Sequence, residues 1–158
     1  MNSRIVAFVL LFVAGIPGAL ADTVSCPGLS AAVQVAACPT EDELKFTFTG
    51  YCSDNSRMYG KGTDVCTDYQ QYRRLKNVAL WESGDGAFQA YVSCDLPAAA
   101  VRSMKAVQIA ASRKGGITRL VCDYPDGVVF TSRTKAECRV DEKTSCSSDP
   151  SACRAVCD

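Results

Sequence analysis

KNVALWESGDGAFQAYVSCDLP (residues 76–97) and KAVQIAASRKGGITRLVCDYP (residues 105–125) follow one pattern. Lys76-x-Val78-x-Leu80 returns as Lys105-x-Val107-x-Ile109, and Cys94-Asp95-Leu96-Pro97 returns as Cys122-Asp123-Tyr124-Pro125. At the centre of each lies a cluster of turn formers, Ser83-Gly84-Asp85-Gly86 in the first and Arg113-Lys114-Gly115-Gly116 in the second. Glycine and aspartate tolerate the positive φ that tight hairpins need, so each stretch reads as strand, turn, strand. Either an internal duplication or two ordinary hairpins with similar endings accounts for the echo. Both make the chain mainly β, a β-rich α+β fold built on a disulfide-stapled antiparallel sheet of hairpins.

Working outward, Pro125-Asp126-Gly127 turns the chain into Val128-Val129-Phe130-Thr131-Ser132, which adds a third strand and makes 105–134 a meander. Between the hairpins, Pro97 and the three alanines after it predict a short helix over 97–103, since proline suits the first helical position. Residues 44–52 alternate, with Phe46 and Phe48 separated by Lys45, Thr47 and Thr49, which predicts a half-buried strand. Residues 53–67 read as a polar, glycine-bearing loop. A brief helix is expected near the N-terminus between Cys26 and Cys38, although Val33 and Val35 also allow a strand. Asp149-Pro150 resembles an N-cap and first-turn pair, predicting a C-terminal helix over 150–157.

The chain has 10 cysteines and no histidine. Arg4, the apolar run 5–14 and Ala19-Leu20-Ala21 read as a secretory signal over 1–21. Residues 22–158 then form a single disulfide-rich domain in a secreted or periplasmic setting, with no membrane span after cleavage. An even cysteine count in an exported chain implies a disulfide framework made of Cys26, Cys38, Cys52, Cys66, Cys94, Cys122, Cys138, Cys146, Cys153 and Cys157. Cys52 with Cys66 and Cys26 with Cys38 are plausible local closures. Cys94 and Cys122 end equivalent strands and would pair if those strands were neighbours. Cys153 and Cys157 would share a helix face with poor mutual geometry, so each is expected to reach a different partner among Cys138, Cys146 or the N-terminal cysteines.

Absent histidine excludes histidine-dependent triads. Without paired C-x2-C knuckles no metal is expected, and no cofactor fingerprint occurs. Seventeen Lys and Arg balance seventeen Asp and Glu, so there is no general electrostatic case for nucleic acid. Asp95 and Asp123, each between a cysteine and a proline turn, are candidates for carboxylate chemistry or, more simply, for turn capping. The aromatic and basic stretch after Cys52 gives the candidate binding residues Tyr59, Tyr69, Tyr72, Arg73 and Arg74, because tyrosine and arginine are enriched at recognition surfaces. Trp81, out of phase with Val78 and Leu80, is expected on the outer face of its strand and is the sixth candidate binding residue.

These features point first to a non-enzymatic exported module that binds a protein or carbohydrate. A structural, envelope-associated protein without a dedicated pocket is the alternative, and a small carboxylate-dependent hydrolase a third reading. The framework has a direct test. Alkylating the native, non-reduced protein is expected to leave its intact mass unchanged; uptake at two or more thiols would contradict it.

Overall fold

The computed structural model describes residues 21–60, 64–140, 146 and 152–158. Strand β1 (Asp22–Ser25) leads through a 3₁₀ turn at Leu29–Ala31 to β2 (Val33–Gln34). Helices α1 (Glu41–Tyr51), α2 (Asn55–Tyr59), α3 (Asp64–Thr67) and α4 (Tyr69–Lys76) follow. Strands β3 (Val78–Glu82) and β4 (Gln89–Ser93) precede α5 (Ala98–Ser103). Then come β5 (Gln108–Lys114), β6 (Ile117–Asp123), β7 (Val129–Thr134), β8 (Cys138–Val140) and β9 (Arg154–Cys157). One sheet has the order β2-β3-β4-β7-β6-β5 and a smaller one the order β1-β9-β8. The pairings are antiparallel throughout.

Both expected hairpins form, and β5-β6-β7 is the expected meander. Gly115 and Gly116 at the second turn have φ of 58° and 79°, consecutive positive values that a two-residue hairpin loop demands and that favour glycine. In the first turn the buried Ser83 hydroxyl accepts from Phe88 N at 2.9 Å and donates to Asp85. The helix at 98–103 forms, and the 26–38 segment combines the 3₁₀ turn with the short strand β2.

Strand alternation gives the large sheet one buried face. Ala79, Trp81, Ala90, Val92, Leu120, Cys122 and Phe130 all point to it. Leu29 and Val101, at 1% and 0% exposure, cover it from the 3₁₀ turn and α5, and the small sheet adds Ala155 and its cysteines. Tyr124 closes one end, its hydroxyl donating to Pro27 O at 2.6 Å.

Three secondary-structure expectations fail. Residues 44–52 are not a strand: α1 covers 41–51. Thr40 caps it in a reciprocal box, Glu43 N donating to Thr40 Oγ1 at 3.2 Å and Thr40 N to Glu43 Oε2 at 2.7 Å. Three acidic residues in its first turn oppose the positive end of the helix dipole. These local terms outweigh a short phenylalanine alternation, and Phe46 is left 81% exposed. The C-terminal helix is also overturned, because residues 154–157 are strand β9, paired on both sides by β1 and β8. Asp149 and Pro150 lie outside the described residues. The 53–67 segment, read as loop, carries the short helices α2 and α3.

The ten cysteines form five disulfides with no free thiol. Cys52–Cys66 is as expected. Cys153 and Cys157 take different partners, Cys146 and Cys138. Cys26 does not pair with Cys38, nor Cys94 with Cys122. Strand β7 lies between β4 and β6, which separates the last two. Instead Cys26 holds Cys122 and Cys38 holds Cys94, bridging separations of 96 and 56 residues. In a chain-entropy picture, closures this long each stabilise by roughly 4–5 kcal/mol.

The two phenylalanines test where the core lies. Phe130→Ala, at a wholly buried position, is expected to cost about 3–5 kcal/mol in denaturant unfolding. Phe46→Ala, on the exposed side of α1, is expected to change stability by less than about 0.5 kcal/mol. Equal costs would mean that the buried face has been misplaced.

Candidate functional site

The sequence-derived binding residues do not share one surface. Tyr72 is 2% exposed, at the centre of an aromatic cluster. Its ring lies 5.2 Å from Phe48 and 5.5 Å from Tyr51, both on α1, and Tyr69 lies 5.3 Å from Phe48. Asp68 caps α4 by accepting from Gln70 N at 2.9 Å, which sets Tyr69 and Tyr72 three residues apart facing α1. Trp81 is a correction: it is 3% exposed and points into the core with Ala79, while Val78 and Leu80 take the opposite face. The strand's more apolar residues suggested the opposite phase. The Arg102 guanidinium sits 5.5 Å from the Trp81 ring centroid and donates to Ala32 O at 3.1 Å, sealing the indole edge. Tyr59 and Arg74 are exposed, on α2 and α4.

Arg73 is a clasp. Its two terminal nitrogens donate to both Asp95 oxygens at 3.1 Å each, and its Nε donates to Glu41 Oε2 at 3.3 Å. It thus ties α1 and α4 to the end of β4, beside the Cys38–Cys94 bridge. Asp95 also accepts from Asn77 Nδ2 at 3.0 Å, so its side chain joins elements rather than capping the turn that follows it. The Tyr69 hydroxyl donates to Glu41 Oε1 at 2.7 Å. That bond and those from Arg73 hold the Glu41 carboxyl below its ordinary value, and Arg73 does the same to Asp95. Desolvation and the bond to Glu41 push the Tyr69 phenol up to about 12.

Two of the depressions on the described surface involve the large sheet. One, of about 720 Å³, lies between the helices and the sheet, with Pro39, Leu44, Tyr51, Lys76 and Val78 on its walls. Lys76 lies over the Tyr51 ring at 5.3 Å, so its charge is already engaged there. The other, of about 500 Å³, lies on the uncovered face of the large sheet. Leu80, Tyr91 and Val129 form its apolar row, and Gln89 with Thr131 the next. Arg133 and Arg119 stand directly opposite each other on β7 and β6 at its far end.

Sequence reasoning missed this second groove. Tyr91 is 73% exposed, and the alternation of β4, with Ala90 and Val92 buried, could have placed it outward. Arg119 and Arg133 could not have been brought together without the β6–β7 register. Neither has an acidic partner among the described residues. Like charges directly opposite across strands are unfavourable, and here both side chains are exposed to water. Gln89 Nε2 donates to Glu82 Oε1 at 2.9 Å, which orients the amide and leaves its oxygen open to the groove. No group of three or more His, Cys, Asp or Glu among the described residues is arranged to hold a metal.

The clasp has a definite pH signature. Glu41 and Asp95 have ordinary values of 4.5 and 3.8, and both are lowered in the fold. Their contribution is therefore complete above about pH 4.5 and is lost as pH falls through the lowered values. Arg73→Ala is expected to lower Tm at neutral pH, with the difference from the parent protein closing in strong acid. A gap that stays constant with pH would assign Arg73 a packing role only.

No protein-family model, curated protein or solved structure matches this chain. The functional reading therefore stands on the geometry of the chain itself.

Proposed function

We propose that the protein is an exported, non-enzymatic binding module whose contact surface is the open face of the large sheet. The observation that carries this reading is the cross-strand pair Arg119 and Arg133, without acidic partners among the described residues, sharing one groove with the exposed Tyr91. A sheet that served only as scaffold would gain by replacing one of these arginines. A like-charge pair beside an exposed aromatic supports a surface that meets a partner. Five disulfides fit an oxidising compartment, and no described helix is long and apolar enough to cross a membrane.

The sheet also suits the task mechanically. Tyr91, Arg119 and Arg133 stand on paired strands rather than on loops, so little backbone freedom is lost on binding. The test is a glycan array together with a panel of purified extracellular proteins. It compares the parent protein with a Tyr91→Ala/Arg133→Gln variant and with a Tyr59→Ala/Arg74→Ala variant. Losing a central anchor is expected to cost about 2 kcal/mol, roughly thirtyfold in affinity. The first variant should show that loss and the second should bind as the parent does. The reverse result would move the site back to the helical region.

A further inference from the structure

We infer that the groove on the open face takes an acidic oligosaccharide, with uronate carboxylates held by Arg119 and Arg133 and a sugar ring laid on Tyr91. This deepens the proposed function and rests on the same groove being the binding site.

The first argument is the chemistry of the lining. The groove offers two guanidiniums, one exposed phenol ring, the Gln89 amide and the Thr131 hydroxyl, and its apolar lining is confined to the row of Leu80 and Val129 around that ring. A protein hot spot needs a desolvated apolar or aromatic centre. A polyhydroxylated ring instead needs a flat aromatic surface on one side and donors and acceptors around it, as Tyr91, Gln89 and Thr131 provide. Gln89 is already oriented by Glu82, and its free oxygen can accept from a sugar hydroxyl.

Length is the second argument. Gln89 stands opposite Thr131, and Tyr91, two residues further along β4, shares the groove with Val129, four residues along β7 from Arg133. At the usual rise per residue this is about 14 Å of strand. One sugar cannot reach from the ring to the arginines, whereas a short oligosaccharide can.

Charge is the third. The planar guanidinium fork matches the two oxygens of a carboxylate, and two arginines on neighbouring strands present two such forks side by side. The same face also carries Glu82 on β3 and Asp123 at the other end of β6, each on the outward phase of its strand. A densely sulfated polymer would bring charge against both carboxylates. A uronate chain, with one charge per ring, suits a surface that is cationic only at one end. It also fits a protein with no net charge, which has no long-range field to draw in polyanions generally.

The experiment is calorimetric titration of the disulfide-intact protein with four probes: a short oligogalacturonate, the neutral galacto-oligosaccharide of the same length, dextran sulfate and poly-glutamate. Oligogalacturonate is expected to bind, and to bind more weakly as salt is raised. Arg119→Gln and Arg133→Gln should each reduce that affinity at least tenfold, and Tyr91→Ala likewise. Because each arginine variant relieves a like-charge contact, its Tm should equal or exceed that of the parent. A lost affinity at undiminished Tm therefore separates a binding role from a structural one. Equal binding of the neutral sugar, with Tyr91 still required, would overturn the acidic ligand but leave the groove as the site. Equal or tighter binding of dextran sulfate or poly-glutamate would reduce the arginines to a general anion patch and overturn the glycan. Failure of all four probes would overturn the ligand class. Should an array partner then bind the Tyr91→Ala/Arg133→Gln variant normally, the proposed site would fall with it.

Discussion

Two β units meet in this protein along a seam between β4 and β7, and the rest of the fold depends on closing it. The seam pairs a single residue on each side in regular register, Gln89 opposite Thr131. Hydrogen bonds alone are a slender join for units separated by a helical crossover. What closes it is burial: Phe130 on β7 is wholly inaccessible, packed with Ala90 and Val92 of β4 and with Val101 of α5. The two long-range disulfides act on the same problem from outside. Cys38 holds the end of β4 and Cys26 holds β6, so the N-terminal segment spans both units like a strap. Unfolding one unit while keeping the other would leave that strap attached to both. The units are in this way coupled by covalent connection as well as by their shared core.

The helices α1 to α4 are attached differently. Their interior is a small aromatic cluster closed by Cys52–Cys66, and little of it enters the main core. Arg73 and the Cys38–Cys94 bridge join this cluster to the end of β4. Neither attachment reaches the open face around Tyr91. Tyr69, Tyr72 and Arg73 therefore build and fasten the helical region, while Tyr59 and Arg74 remain exposed on it.

That division gives the open face its meaning. The 3₁₀ turn, α5 and the small sheet pack against one side of the large sheet, and the helices border the other side only at Val78, which leaves Tyr91, Arg119 and Arg133 exposed on it. Tyr91 and the paired arginines are the side chains that this face presents to solvent, and the proposed function rests on them.

Local signals fixed the parts of this protein that depend on neighbours in sequence. The turns at 83–86 and 115–116 follow from glycine and aspartate chemistry, and α5 follows from a proline before three alanines. The disulfide framework follows from an even cysteine count behind an export-like leader. Helix α1 was legible too, through the box between Thr40 and Glu43, but the alternation of Phe46 and Phe48 masked it. Other features needed the folded chain. The tail became a strand because β1 and β8 supply hydrogen-bonding partners from far away in sequence, which no local pattern reveals. Cysteine partners depended on β7 inserting between β4 and β6. Tyr72 and Trp81 were buried by surfaces the sequence does not place beside them. Arg119 and Arg133 became a pair only through the β6–β7 register, since cross-strand neighbours are set by pairing rather than by spacing along the chain.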